Sequence, residues 1–239
     1  MAQRPAWEHV LLATEHTEFD AGAERMAIEI SRRSASHLTI LLPITTHPEL
    51  VAAAPDVAAR LDAEAAARRA ELLSAAQAAG IPATVRVRGD AELSRAIVTE
   101  AATLGADLVV FRSRGRRGWL ARLLVGETAG TVAARTHCDV LLVPRAAHPF
   151  HRGVLAVTDA SAAEGSVAAA AARIAAAYDL RSHTASVAGS LSDAAREAGA
   201  DLVVLGRGDV VDPAHPERLT AAAAKTIGQL ECPVLIVSS

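Results

Sequence analysis

Aromatic residues are scarce in this chain, whose 239 residues include three Phe, two Trp and one Tyr. So few large rings cannot fill the interior of a sandwich of aromatic-rich strands, which disfavours that class of fold. Hydrophobic residues nevertheless make up 51% of the sequence, and many of them are alanine. We therefore expect Ala-rich helices packed on strands of Val, Leu and Ile.

Lysine, cysteine and long apolar runs are also rare. Lys225 is the one lysine and the formal net charge at pH 7 is −3, which disfavours a general nucleic-acid binder because such proteins rely on an excess of basic residues. Two cysteines, Cys138 and Cys232, do not make a disulfide framework, and this favours a reducing cytoplasm. No uncharged apolar stretch reaches the roughly 20 residues of a membrane helix, so no membrane span is predicted.

What the chain does contain is an internal repeat. The sequence Gly-Ala-Asp-Leu-Val-Val at residues 105–110 recurs at residues 199–204, an offset of 94. The Cys-led apolar run at 138–143 is matched by 232–237 at the same offset. Two collinear matches at one offset predict two copies of one structural unit.

The start of the repeat has a different offset. Residues 9–15 match residues 153–159 at an offset of 144. The second copy is therefore 50 residues shorter, the difference between 144 and 94, and the loss falls between its first strand and its Gly-Ala-Asp strand. We expect two domains, residues 1–146 and 150–239, with a Pro-bounded linker at 144–149.

The first copy alternates short apolar runs, typical of buried strands, with amphipathic or Ala-rich segments, typical of helices. The predicted strands are 10–13, 38–42, 85–88, 108–111 and 140–143, and the predicted helices are 20–34, 56–79, 91–104 and 127–135. Such alternation predicts a doubly wound α/β domain with a parallel sheet and right-handed crossovers.

The second copy repeats this pattern with one helix and one strand fewer. Its predicted strands are 154–157, 184–187, 202–205 and 234–237, and its predicted helices are 161–178, 191–198 and 216–230. If the strand order is 3-2-1-4-5, the third strand lies at the sheet edge, so its loss leaves the other four contiguous. The pattern leaves open whether 184–187 fills the second or the third slot.

Together these features resemble the universal stress protein family. Its members have a first strand ending in an acidic residue, a fourth strand of the Gly-Ala-Asp-Leu-Val-Val type and a Cys-Pro-Val-led final strand. Between the last two, a loop of the form G-x2-G-x9-G-(S/T) precedes a helix, and residues 112–128 correspond to it here. The resemblance covers most of the chain. It implies two tandem Rossmann-like domains of the adenine-nucleotide α-hydrolase type, the second truncated.

The resemblance also implies where a nucleotide would bind. The candidate residues follow the first and second strands and line the glycine loop: Thr14, Glu15, Ile44, Gly115, Gly126, Glu127 and Thr128 in the first copy, and Asp159 and Gly206 in the second. Glycines let the backbone approach ribose and phosphates, and the last Gly-(Ser/Thr) opens a helix whose free N–H groups hold phosphates. ATP is therefore the candidate ligand.

The first copy departs from this pattern at several positions. Arg112 stands in the place of the first glycine, and Glu15 replaces the Asp that follows the first strand. Ten residues, where nine are usual, separate Gly115 from Gly126. Glu127 replaces the Ser/Thr, and its carboxylate repels a triphosphate, although Thr128 offers a substitute hydroxyl.

The second copy departs from the family's pattern at different positions. It keeps Asp159 and Gly206, but Asp209 stands at the second glycine and Thr220-Ala221 replace the last Gly-Ser pair. Neither copy keeps a full phosphate cradle. The motifs are therefore strong evidence of fold and weak evidence of ligand.

Other clusters each have two interpretations. A basic loop can hold an anion or keep itself solvated, and Trp119 within it can stack on a base or pin the loop to the surface. The basic residues of this loop are Arg112, Arg114, Arg116, Arg117 and Arg122. The adjacent His137, Cys138 and Asp139 lack a metal-site spacing, and no G-x-S-x-G motif is present. We predict neither a metal site nor a catalytic residue.

Three functions stay open. Because the family is largely regulatory, the resemblance first implies a cytoplasmic stress-response regulatory or binding protein, not an enzyme, with a degenerate nucleotide site. One alternative is an ATP-binding member with slow hydrolysis at the first-copy site. The other is a nucleotide-independent adaptor, whose lost motifs and lost edge strand mark a surface for a protein partner.

The resemblance finally implies how the copies associate. Family members commonly dimerise by pairing their final strands antiparallel. Within this chain residues 140–143 and 234–237 can form that pair, which would satisfy two sheet edges and make an internal pseudo-dimer. Homodimerisation of the whole chain stays open.

Overall fold

The computed structural model describes residues 6–44, 55–89, 92–113, 121–158, 164–186, 190–215 and 218–238. The strands are β1 His9–Ala13, β2 His37–Ile44, β3 Ala83–Gly89, β4 Leu108–Ser113, β5 Asp139–Pro144, β6 Gly153–Val157, β7 Arg181–Ala185, β8 Leu202–Gly206 and β9 Val234–Val237. The helices are α1 Ala21–Ser34, α2 Pro55–Ala78, α3 Leu93–Leu104, α4 Ala121–Arg135, α5 Glu164–Tyr178, α6 Leu191–Glu197, α7 Arg207–Val210 and α8 Ala221–Ile227.

These strands form one sheet in the order β3-β2-β1-β4-β5-β9-β8-β6-β7. In the first half, β1 to β5, neighbouring strands are all parallel, as predicted, and their order is 3-2-1-4-5, so the third strand does lie at the sheet edge. In the second half, β6 to β9, neighbouring strands are parallel as well. The halves join where β5 pairs antiparallel with β9, Leu141 opposite Leu235, so the expected pairing of the final strands within one chain is confirmed.

Strand β7 fills the second slot, next to β6. Ser182 pairs with Val154 as Leu38 pairs with Val10, so the offset of 144 continues through this strand. The missing 50 residues therefore correspond to α2 and β3 of the first half. The strand starts at Arg181, three residues before the prediction, because an exposed polar edge strand lacks the apolar pattern that marks a buried one.

Alternate residues of each strand point to opposite faces of the sheet. Leu12 packs in the layer of α1, α2 and α5, whereas Leu11 packs in the layer of α3, α4, α6 and α8. Both leucines are fully buried. Burial of one such side chain contributes about 1.5–3 kcal/mol, so two continuous apolar layers hold the halves to one sheet.

Three of the six aromatic residues meet at the seam between the halves. The Tyr178 ring lies 5.2 Å from Phe150 and 6.2 Å from Trp7, measured between centroids. The Arg33 guanidinium stacks 4.4 Å from the Tyr178 centroid and donates to the Tyr178 carbonyl at 2.6 Å. Burial raises the pKa of the Tyr178 hydroxyl to about 12, although a hydrogen bond with Ser34 opposes this shift. The scarce aromatic residues thus stabilise the junction.

Asp139, the first residue of β5, ties four segments together at the same seam. Its carboxylate accepts hydrogen bonds from the Trp7 indole at 3.0 Å and the Arg173 guanidinium at 3.3 Å. The Ser238 N–H donates to its second oxygen at 3.3 Å. Since Asp139 is buried, these donors supply the pairing that a buried carboxylate requires.

The other face of the seam is closed by backbone contacts. Arg207 donates to the carbonyls of Thr136 at 2.7 Å and Cys138 at 3.0 Å. Gly130 lies so close to the second half that a Cβ there would be 2.5 Å from the Arg218 carbonyl carbon. Burial raises the pKa of Cys138 and of Cys232 to about 11, which suits small packing residues better than reactive thiols.

The repeated Gly-Ala-Asp sequence has a structural role in both halves. Asp107 accepts from the N–H groups of Glu8 and His9, at the start of β1, at 2.6 and 3.0 Å. Asp201 accepts in the same way from the N–H groups at the start of β6, that of Gly153 at 3.1 Å. The preceding glycines both have φ +59°, a left-handed conformation that suits glycine at a helix end. The repeat therefore reflects strand anchoring.

Helix starts differ most from prediction. Helix α4 begins at Ala121, six residues before the predicted start. Helix α8 begins at Ala221, because the Thr220 hydroxyl accepts from the Ala223 N–H and caps it there. The short α7 was not predicted. In the part of the chain that the structure describes, no helix combines the length and the apolar character needed to cross a membrane.

Candidate functional site

The candidate site lies beyond the carboxyl ends of β1 and β4. These strands are parallel neighbours, with Ala13 opposite Phe111, so the residues that follow them emerge at the same sheet edge. Strand β1 is also where the chain order reverses, because β2 lies on its one side and β4 on its other. Ligands of open α/β sheets bind in the crevice at such a point.

Arg112, near the end of β4, fills this crevice. Its guanidinium forms an ion pair with the Glu15 carboxylate. It also donates to the Asp20 carboxylate at 3.2 Å and to the Thr17 hydroxyl at 3.1 Å. The Arg112 side chain is 14% exposed. The residue in the place of the family's first glycine is therefore engaged by the chain's own acidic groups.

Asp20 fixes the turn that leads into α1. It is buried, and its carboxylate accepts from the Thr17 N–H at 3.0 Å and from the Thr17 hydroxyl at 2.6 Å. Arg112 supplies the positive charge beside it. A buried carboxylate is stable only with such partners, so Arg112 and Asp20 depend on each other.

Thr14 is also engaged within the chain. Its hydroxyl donates to Glu24 at 2.6 Å and accepts from the His16 N–H at 2.8 Å. His16 has φ +52°, and its two ring nitrogens lie 3.0 Å from Glu24 and 2.9 Å from Glu71. A single imidazole thus links α1 to α2 across the site.

The ionisation of His16 follows from these contacts. Burial by itself lowers the pKa of His16. The hydrogen bonds and charges of Glu24 and Glu71 outweigh burial, so the pKa is raised above its ordinary value. The imidazolium form is favoured, because it alone can donate to both carboxylates at once.

The contacts given above for the described part of this cluster involve no further predicted residue of the first half. Ile44 ends β2, where it pairs with Gly89 of β3. Gly115 lies outside the described residues. Gly126, Glu127 and Thr128 lie within α4, past its first turn. The N–H groups of a helix are free only in its first four residues, so these three do not open a helix towards a phosphate.

In the second half, Gly206 ends β8 and precedes α7. A Cβ at this position would lie 2.5 Å from a carboxylate oxygen of Asp209, at the end of a flexible side chain that can move to make room. After α7 the chain returns through a bridge between Val211 and Leu219. Asp159 lies outside the described residues. That Gly206 and Asp159 form a site therefore stays a prediction.

Some residues of the cluster had no signal in the sequence. Thr17, Asp20 and Glu24 resemble ordinary polar residues before and within a helix, and Glu71 is 55 residues from His16. Arg112 did have a signal, since an arginine in the place of a glycine, opposite an acid, is unusual. Of the basic loop, Arg114, Arg116, Arg117 and Trp119 lie outside the described residues.

No metal centre emerges from the described part of the chain, where no group of three or more His, Cys, Asp or Glu residues is arranged to hold an ion. His16 contacts its two carboxylates through opposite ring nitrogens. That geometry bridges two helices. The two contacts do not converge on one point, as the ligands of a metal site must.

Comparison with known proteins identifies the fold independently. The sequence model of the Universal stress protein family matches residues 6–144. No curated protein matches the sequence at a significant level.

Solved structures extend the likeness to the whole chain. A universal stress protein from Archaeoglobus fulgidus DSM 4304 aligns with 98% of this chain and 96% of its own, with TM-score 0.70 and 15% identity. A functionally unknown protein from Pseudomonas aeruginosa PAO1 aligns with 98% of this chain and 94% of its own, with TM-score 0.66 and 16% identity. At these identities the likeness establishes the fold alone, second half included.

Proposed function

This chain belongs to the universal stress protein family, and from that premise we propose that it is a stress-response regulatory protein whose first-half nucleotide site is closed by Arg112. One observation carries the proposal. The residue in the place of a conformationally free glycine is bonded to Glu15, Asp20 and Thr17. The site is thus filled from within the chain.

The contacts of Glu15 oppose a bound ribose. A sugar hydroxyl would have to replace the Arg112 guanidinium as the donor to that carboxylate. Hydrogen bonds to charged groups contribute about 1.5–3 kcal/mol, so the exchange favours the existing ion pair. Displaced from Glu15, Arg112 would also leave the buried Asp20 without its cation.

The charges of the cluster oppose a triphosphate. Among the described residues, four carboxylates contact two basic groups there: Glu15, Asp20, Glu24 and Glu71 around Arg112 and His16. The acidic excess repels phosphate oxygens. The helix N–H groups that would compensate are not offered by Gly126 to Thr128, which lie inside α4.

Three measurements test this proposal. We expect no stoichiometric nucleotide to be released when freshly purified protein is denatured, and no ATP hydrolysis above background. Arg112→Gly restores the family's residue and frees Glu15 for a ribose hydroxyl, so this variant is expected to bind adenosine, which carries no phosphate for the acidic groups to repel, more tightly than the wild type. Stoichiometric nucleotide in the wild type, or equal adenosine affinity of the two proteins when both are folded by circular dichroism, would refute the proposal.

The remaining features of the proposal concern the whole chain. We propose that residues 1–146 and 150–239 are two domains that arose by duplication, and that the protein acts in the cytoplasm without catalysing a reaction. The repeat supports the first point. Two free cysteines, one buried and one half-buried, support a reducing compartment. Limited proteolysis within 144–149 followed by separation of the fragments tests the domain boundary.

A further inference from the structure

Strand β7 corresponds to β2 of the first half, but its outer edge is not paired with another of the described strands. Strand β2, the counterpart, is covered by β3 through seven residue pairs. Strand β7 is the last strand of the sheet, with β6 as its one neighbour among the described strands. A strand in this position offers unpaired backbone groups to another chain.

The hydrogen bonds identify which groups are unpaired. The Arg181 N–H donates to the Arg152 carbonyl at 3.4 Å, and the Ala185 carbonyl accepts from the Thr158 N–H at 3.1 Å. Because the backbone direction alternates along a strand, Arg181, His183 and Ala185 face β6. The N–H and C=O groups of Ser182 and Thr184 therefore point away from the sheet.

In the first half the equivalent groups are used. Leu38 occupies the position of Ser182, and its N–H donates to the Pro82 carbonyl at 3.3 Å, next to β3. Leu38 and Ile40 are fully buried in the layer that contains α2. Ser182 and Thr184 are exposed, because α2 has no counterpart in the second half. As far as the described residues go, the edge is open to both the backbone and the side chains of a partner.

The side chains on the other face of β7 indicate the chemistry of a partner. Arg181 and His183 are two residues apart and so share a face. Within the described residues, Arg181 makes no side-chain ion pair or hydrogen bond, and the buried Nε2 of His183 has no hydrogen-bond partner. Strand β7 contains no acidic residue, and Asp179 precedes it in a left-handed turn. An acidic side chain opposite the exposed Arg181 would complement this strand.

A second copy of the chain fits this edge poorly. Antiparallel pairing of β7 with itself about His183 would place two histidines opposite each other and add no acidic group. The other free edge, β3, carries Arg86 and Arg88, both ion-paired with Glu100 of α3. Pairing β7 with β3 would bring basic residues together, which is unfavourable.

We propose that β7 accepts an extended acidic segment of a partner protein as an added strand. Ser182 and Thr184 supply the backbone hydrogen bonds, and the exposed Arg181 selects a carboxylate on the added strand. This inference is independent of whether the first-half site holds a nucleotide.

The test uses the full chain and a short fluorescent peptide of alternating Glu and Val residues, with an alternating Lys and Val peptide as the control. We expect saturable binding of the Glu peptide, with a Kd below about 1 mM, and no binding of the Lys peptide. Hydrogen exchange should show new protection of the Ser182 and Thr184 amides when the Glu peptide is added.

Proline substitutions distinguish strand pairing at the edge of β7 from non-specific electrostatic attraction of the peptide. Thr184→Pro removes an outward N–H without removing a bond to β6, so the fold should persist and peptide affinity should fall about tenfold. Val87→Pro makes the equivalent change on the free edge of β3 and should leave affinity unchanged. Arg181→Glu should reverse the preference between the two peptides.

Four results would overturn the inference. They are absence of saturable binding to the wild type, equal binding of both peptides, unchanged exchange at Ser182 and Thr184, and a folded Thr184→Pro that binds like the wild type. Self-association of the wild type that Thr184→Pro abolishes would instead assign the edge to a second copy.

Discussion

Arg112 and Glu15 form an ion pair across the carboxyl ends of two parallel neighbours, β4 and β1. Each is a departure from the residue that the family has at its position. The two departures compensate each other, since the longer acidic side chain meets the guanidinium that has replaced a glycine. The pair converts a crevice at the strand-order reversal into a packed polar cluster.

The first prediction concerns the stability of that cluster. Arg112→Met should lower the free energy of unfolding by about 3 kcal/mol, because Asp20 would stay buried without its cation. Arg145→Met is the control, since Arg145 and Glu18 form an exposed pair at 2.7 Å whose loss should cost about 1 kcal/mol or less. Urea denaturation of both variants measures the difference. Equal losses would contradict the account.

The second prediction concerns pH. The raised pKa of His16 means that the folded state binds its proton more tightly than the unfolded state does. The stabilisation by His16 is therefore full below the ordinary pKa of 6.5 and is lost as pH rises through the folded value. The wild type should therefore be more stable than His16→Gln at about pH 5.5, and this difference in stability should shrink as the pH rises to about 8.5.

Glu71→Gln provides the matched test for His16. It removes one of the two carboxylates on the ring and should reduce the slope of stability against pH. Thermal denaturation of wild type, His16→Gln and Glu71→Gln across the pH series measures these slopes. A wild-type advantage over His16→Gln that grows with pH would have the wrong sign for this mechanism.

The third prediction uses the fact that Tyr178 is the one tyrosine. Its ionisation can be followed by ultraviolet absorbance without interference from another phenol. Because burial raises its pKa to about 12, the native protein should show little tyrosinate at pH 10.5, whereas the chain in urea should titrate near the ordinary value of 10. Between these values stability should fall as pH rises. Ionisation of Tyr178 near pH 10 in the native protein would show that its phenol is exposed at the seam, which would contradict this prediction.

The fourth prediction concerns the repeated aspartates. Asp201→Ala removes the acceptor of N–H groups at the start of β6 and should cost about 1–3 kcal/mol of stability. Asp107→Ala should cost a similar amount at β1. Asp193→Ala, at an exposed pair with Arg196, is the control and should cost less stability than either of the other two variants. If the control matched the other two, anchoring would not explain the repeat.

Much of the fold could be predicted from the sequence, because the repeat carries local signals. Gly105 and Gly199 end helices, and Asp107 and Asp201 anchor the first strand of each half. The antiparallel pairing of the final strands followed from the resemblance. Strand β7 was misplaced because its exposed residues follow no apolar pattern, and its slot needed the register with β6.

The site was less predictable, because its contacts join distant parts of the chain. The sequence shows Arg112 in the place of a glycine, but only the fold brings it to Asp20, 92 residues away. The link from His16 to Glu71 likewise requires α2 to pack beside the loop after β1. The start of α4, which moves Gly126 away from a helix terminus, has no capping signal in the sequence.

Calorimetric titration of the folded wild-type chain with ATP tests the central claim most directly. If Arg112 closes the first-half site, millimolar ATP should give no saturable heat, and the thermal midpoint should not rise with ATP concentration. Saturable binding near one ATP per chain, abolished by Glu15→Gln in a protein that stays folded, would contradict the claim, because it would show that the nucleotide displaces Arg112 from Glu15.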